Sequence, residues 1–139
     1  MGNFEILDHT ADFRLKITGE NRDDLFRTAL DGLKALTEID NAHMLDEQVE
    51  EVLDIKGDDD EELLIRFLNN LLEIIQEKYL VPMKILYLDF GNGVLQTGII
   101  ARRIGEFPEG YVEIKAATYH MLDIVPLDGK LNVTVVFDI

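Results

Sequence analysis

Two carboxylates and an imidazole fall within a five-residue stretch, Asp8-His9-Thr10-Ala11-Asp12. Oxygen and nitrogen donors this close can ligate a divalent ion, or the carboxylates can orient His9 as a general base. Asp and Thr also satisfy backbone amides where a chain enters a strand, so the same residues serve equally as turn formers. A second concentration of charge closes the sequence, where the strand-like run from Leu131 to Phe137 ends in Asp138-Ile139. The α-carboxylate of Ile139 then stands beside the Asp138 side chain, and two fixed anions repel unless a cation lies between them. The third place is Glu113-Ile114-Lys115-Ala116-Ala117-Thr118-Tyr119-His120. Strand alternation puts Glu113, Lys115, Ala117 and Tyr119 on one face and Ile114, Ala116, Thr118 and His120 on the other. Lys115 reads either as a solvated strand lysine or as a working cation. His120, among Met121 and Leu122, reads as a hydrogen-bonded core histidine. His43 has no company that gives it a role.

Other chemistries are excluded by what the chain lacks. It contains neither cysteine nor serine, which removes disulfides, thiolate metal sites and acyl transfer through Ser or Cys. No GxxxxGK[ST] loop, GxGxxG turn, HExxH or GxSxG is present.

The elements that must hold these residues follow from periodicity. Phe13, Leu15 and Ile17 alternate with polar groups over 12–18, a half-buried strand ended by Gly19. Asn21 followed by Asp24 makes an N-cap for a helix over 22–37, carried by Leu25, Phe26, Ala29, Leu30, Leu33 and Leu36. Residues 48–55 form a second strand. Asp58, Asp59 and Asp60 cap a second helix over 60–79, whose apolar stripe Leu64, Leu68, Leu71 and Ile75 is widened by Leu63, Phe67, Leu72 and Ile74. Strands then follow at 84–90, 94–104, 112–124 and 131–139, with turns at Gly91-Asn92-Gly93 and Asp128-Gly129. Strand, helix, strand, helix and a run of hairpins predict an α+β fold, two helices packed against a largely antiparallel or mixed sheet.

Length and composition agree with one folded domain over 1–139. The chain has 47% hydrophobic and 29% charged residues, with no linker, repeat or low-complexity tract. Thirteen Lys and Arg against 28 Asp and Glu give a net charge of −15. Nucleic-acid binders gain affinity by replacing counterions with Lys and Arg, so direct RNA binding is not expected. So acidic a surface favours rapid association with a basic partner, and it also serves solubility alone. The start lacks a basic segment followed by an apolar one, Ile6 breaks the myristoylation pattern, and no apolar run approaches the ~20 residues that span a bilayer. A cytoplasmic location without membrane attachment is expected.

Five short motifs, in order over nearly the whole chain, resemble the archease family. They are Asp8-His9-Thr10-Ala11-Asp12, Asp24-Leu25-Phe26, Asp60-Glu61-Glu62-Leu63-Leu64, Glu113 to Tyr119, and Phe137-Asp138-Ile139. The resemblance implies a helix pair with mixed strands and a divalent-cation site, its ligands being Asp12, Asp138 and the carboxylate of Ile139. Hard oxygen donors suit Ca²⁺, Mg²⁺ or Mn²⁺. Asp8 and His9 belong to the motif as positioning residues, and Lys115 matches a lysine that serves activation of a partner. That partner, as the resemblance implies, is the RtcB-type RNA ligase of tRNA splicing, whose guanylylation and multiple turnover an archease promotes without being an enzyme itself. Two other readings stand beside it: a chaperone-like module for a tRNA-modifying enzyme, and a metal-dependent hydrolase built on Asp8, His9 and Asp12. The chain departs from the family pattern at Asn70, where an acidic residue is usual, and at Phe107, where histidine is common. The loop around Phe107 is therefore expected to have no role in metal or partner contact.

Overall fold

Asn21 Oδ1 accepts the Asp24 amide at 2.9 Å, while the Asp24 carboxylate accepts the Glu20 amide at 2.8 Å. The first bond satisfies an amide that α1, Arg22–Thr37, leaves open at its start, and the second fixes the residue that precedes the cap. The second helix, α2, Asp60–Lys78, begins the same way: Asp59 accepts from the Glu62 amide and Glu62 from the Asp58 amide, both at 2.8 Å. Each helix ends on a left-handed residue, Glu38 at φ 57° and Tyr79 at φ 55°. This is a computed structural model, and it describes residues 1–7 and 12–139.

Among the described residues eight strands form two antiparallel sheets. They are β1 Asn3–Leu7, β2 Phe13–Gly19, β3 Met44–Lys56, β4 Leu80–Phe90, β5 Val94–Ile104, β6 Ala116–Thr118, β7 Val125–Leu127 and β8 Lys130–Asp138. The first sheet runs β1-β2-β8-β6, with β7 also paired to β8, and the second runs β3-β5-β4. The architecture is α+β, as the sequence predicts.

Helix α1 touches β1, β2 and β8 on one side and β4 on the other, and α2 touches β3 and β4 as well as β6. Both helices therefore bridge the two sheets. This explains why α2 buries Leu63, Leu64, Ile65, Phe67, Leu68, Leu71, Leu72, Ile74 and Ile75, far more than one stripe: a helix covered from two directions must be apolar around most of its circumference. Leu15 and Ile17 of β2, Val135 and Phe137 of β8, and Leu95 and Ile99 of β5 belong with these helices to one continuous core. Phe26 stacks edge-on to Phe90 at 5.1 Å and tilted to Phe67 at 5.6 Å, tying both helices to β4.

Strand β1 and the stretch 112–124 differ most from the sequence expectation, while the turn at Asp128-Gly129 agrees with it. Strand β1 has no amphipathic signal, because four of its five residues are exposed, and only its pairing with β2 reveals it. The expected strand over 112–124 is paired only at Ala116–Thr118; Met121 turns the chain at φ 50° and β7 resumes at Val125. Asp128 and Gly129, both at positive φ, make the two-residue turn that joins β7 to β8.

Candidate functional site

Strands β2 and β8 lie side by side with Phe13 opposite Phe137, the last pair of their ladder. Asp12 precedes that pair and Asp138 follows it, so two regions distant in sequence meet at one end of the sheet. Phe137 is fully buried, and alternation gives Asp138 the opposite, exposed face. Asp12 Oδ1 lies 3.3 Å from Arg14 Nε, an ion pair within the same strand entry. On the other side of β8, Ala116 pairs with Asp138, and the Lys115 amide donates to the Asp138 carbonyl at 2.8 Å. Lys115 is exposed, and its ammonium makes no ion pair among the described residues. Ile139 is 36% exposed.

The structure thus brings Asp12, Asp138 and Lys115 to neighbouring positions across three strands. Asp8 and His9 lie outside the described residues. Among the described residues no three His, Asp or Glu side chains gather as a metal site.

Two histidine expectations are corrected. His120 is exposed, because β6 ends at Thr118 and the chain turns, with Leu122 N donating to Tyr119 O at 3.1 Å. His43 does have company, and it is structural. Its Nδ1 accepts the Asp40 amide at 3.1 Å and completes a capping box on the short 3₁₀ turn Asn41–His43. The alternation expected over 113–120 also fails, since Ile114 and Ala117 are both buried and lie an odd number of residues apart.

That failure has a cause in α2. Asn69 donates through Nδ2 to the Ala117 carbonyl at 3.1 Å and accepts the Ala117 amide at 2.7 Å. Gln76 donates to the Ile114 carbonyl, and Glu61 accepts the Ile124 amide at 3.3 Å. Three polar side chains on one sector of α2 therefore take over backbone groups that a neighbouring strand would otherwise satisfy. The signal in the sequence was Asn69 and Gln76, polar residues two helical turns apart at the margin of the apolar face of α2.

A second arrangement lies where α2 ends. Tyr79, Phe107 and Tyr111 form a chain of rings, with centroids 5.9 Å and 4.6 Å apart, and with Gln76 and Glu113 they line an open cavity of about 300 Å³. Burial, then the charge of Glu113, raises the Tyr111 phenol above its ordinary pKa.

The model of the Archease protein family (MTH1598/TM1083) matches residues 4–139. The chain belongs to the archease family. It is similar to the archease of Methanothermobacter thermautotrophicus, 27% identical over 142 residues and covering 100% of both chains. It is 30% identical over 141 residues to the archease of Methanosarcina mazei, covering 98% of this chain and 95% of that one. The crystal structure of an archease from Thermotoga maritima, described as a possible chaperone, superposes with a TM-score of 0.72 at 26% identity, covering 97% of this chain and 96% of the other. These archease relatives are named as archease or possible chaperone and not by an enzymatic activity. No helix among the described residues of this archease chain is long and apolar enough to cross a membrane.

Proposed function

We propose that this archease chain is a non-enzymatic, cytoplasmic activator of an RtcB-type RNA ligase in tRNA splicing, promoting guanylylation of the ligase and its multiple turnover through a divalent cation. The observation that supports this most is the Phe13–Phe137 pairing, which sets Asp12 and Asp138 at one end of adjacent strands. Together with the α-carboxylate of Ile139 they form an all-oxygen donor set, suited to Ca²⁺, Mg²⁺ or Mn²⁺ and unsuited to soft metals. A bound cation would add to Arg14, which already pairs with Asp12, in offsetting the repulsion among these carboxylates. Asp8 and His9 would position the segment that leads to Asp12. Lys115, one hydrogen bond from Asp138 and open to solvent, is the residue for contact with the partner. The net charge of −15 favours fast encounter with a basic, RNA-handling protein and disfavours binding RNA directly.

The test follows ligase guanylylation with the unaltered chain and with Asp12→Ala or Asp138→Ala. Loss of stimulation by both variants is the expected result, and full stimulation by both would overturn the metal role. A chaperone-like role on a tRNA-modifying enzyme is the second reading, favoured by the description of the Thermotoga relative as a possible chaperone. It requires client solubilisation that survives Asp12→Ala.

A further inference from the structure

We propose that Tyr79, Phe107, Tyr111 and Glu113 form a cage for the guanidinium group of an arginine on a basic protein partner. The rings pack on one another, with centroids 5.9 Å and 4.6 Å apart, so a cation is held against the outer side of the cluster, where ring faces carry the negative end of the aromatic quadrupole and attract it electrostatically. Glu113 adds a full negative charge at the rim, and it makes no ion pair among the described residues. Two nearby cations are engaged elsewhere, Lys78 with Glu51 at 2.6 Å and Arg103 with Glu47 at 2.7 Å and the Lys78 carbonyl at 3.1 Å, and the exposed Lys115, two residues from Glu113, is not part of the cavity lining. The cavity therefore presents a negative charge and three rings without a cation of its own.

Its polar wall is also committed. Gln76 spends its amide on the Ile114 carbonyl, which fixes the loop between β5 and β6 and leaves a mainly aromatic surface. Tyr79 remains 53% exposed although it is a large ring. Its left-handed backbone at the end of α2 holds it beside Phe107 rather than in the core. Arginine fits better than lysine because a planar, weakly hydrated guanidinium stacks on rings while its outer N–H groups reach a carboxylate. The volume of about 300 Å³ admits one side-chain terminus and not a folded segment. Along the sequence Phe107 has only Tyr111 nearby, and the fold brings Tyr79 to both, so a loop expected from the sequence to have no part in partner contact is assigned one here.

The cage does not depend on the proposed metal or on the identity of the ligase, so its test needs neither. Aromatic and backbone NMR signals of the full chain are followed while N-acetyl-arginine amide is added, and in parallel N-acetyl-citrulline amide, which has nearly the same shape without the charge. Saturable shifts at Tyr79, Phe107, Tyr111 and Glu113 with the arginine probe, absent with citrulline, are expected. Glu113→Gln weakens the arginine response by roughly two- to five-fold, the effect of losing an exposed charge partner. Phe107→Leu keeps the apolar packing and removes the response. Equal shifts with both probes, shifts that persist unchanged in Phe107→Leu, or no saturable shift at all would each overturn the proposal.

Discussion

Asn69 binds both the amide and the carbonyl of Ala117, so one helical side chain stands in for a β-strand neighbour along the edge of β6. The other edge of β6 pairs with β8, through Ala116 to Asp138, Ala117 to Phe137 and Thr118 to Val136. The position of Lys115 relative to Asp138 thus rests on a helix as well as on a sheet.

Asn69→Ala should destabilise the chain by about 1–3 kcal/mol, because it strands a buried amide and a carbonyl that have no other partner of this quality. Urea denaturation measures the loss, and hydrogen exchange at the Ala117 amide should accelerate more than at α1. Asn69→Asp should be worse at neutral pH, since its carboxylate would face the Ala117 carbonyl that Nδ2 now satisfies. A wild-type exchange rate at Ala117 in both variants would refute the clamp.

Gly32 of α1 is buried, and a Cβ there would lie 2.6 Å from a Leu15 methyl group. Alanine is the better helix former by about 1 kcal/mol, and overpacking a core position costs about 1–3 kcal/mol. The two effects oppose, and Leu15 is fully buried with little room to retreat. Gly32→Ala should therefore lower stability in spite of its propensity, and paired Gly32→Ala with Leu15→Val should recover part of the loss. A stability gain in the single variant would show that β2 and α1 pack less closely than this.

Much of this fold was legible because the apolar spacing and the caps agree. Helix α1 falls at its expected limits, since Asn21 and Asp24 satisfy the first amides and the apolar residues recur every third or fourth position. Strand β5 likewise matches its run of apolar residues between a Gly-Asn-Gly turn and Gly105. The stretch 112–124 was not legible, because its local pattern reads as strand while α2 claims its backbone through Glu61, Asn69 and Gln76. Periodicity reports which way side chains point along a regular element, and it carries no information about a distant side chain that replaces a strand. The candidate site divides similarly. Asp12, Asp138 and Lys115 are visible as polar residues at strand ends, whereas their adjacency depends on β2 and β8 pairing from opposite ends of the sequence. The aromatic cage is legible only in three dimensions, since Tyr79 lies 28 residues before Phe107 (107 − 79 = 28).

Lys115→Ala should separate activation from folding. The side chain is exposed and contributes no ion pair among the described residues, and surface changes of this kind alter stability by about 0.5 kcal/mol or less. Thermal melting and titration with Ca²⁺ or Mn²⁺ should match the unaltered chain, while stimulation of ligase guanylylation falls. Lys115→Arg tests the requirement further: rescue would mean that charge suffices, and failure that the compact ammonium is needed. Unchanged stimulation by Lys115→Ala would remove the residue from the proposal.

Asp31 yields a pH-dependent prediction that does not involve the proposed site. It borders an open groove of about 540 Å³ with Ile39, Met44 and Met83, and this partial burial raises its pKa, an effect that the nearby Lys34 only partly offsets. A carboxyl group whose folded pKa is raised favours the folded state while protonated. That advantage is complete below the unfolded pKa, near 3.8 for the ordinary group, and it disappears as pH rises through the folded value. At neutral pH the ionised group therefore opposes folding. Asp31→Asn should stabilise the chain at pH 7 by less than about 1 kcal/mol, because solvent screens a group at the rim of a groove. The gain should shrink as the buffer is taken down through the carboxyl range. Paired chemical denaturation curves at neutral and acid pH measure the difference, and an equal effect of the substitution at both would rule out titration of Asp31 as its cause.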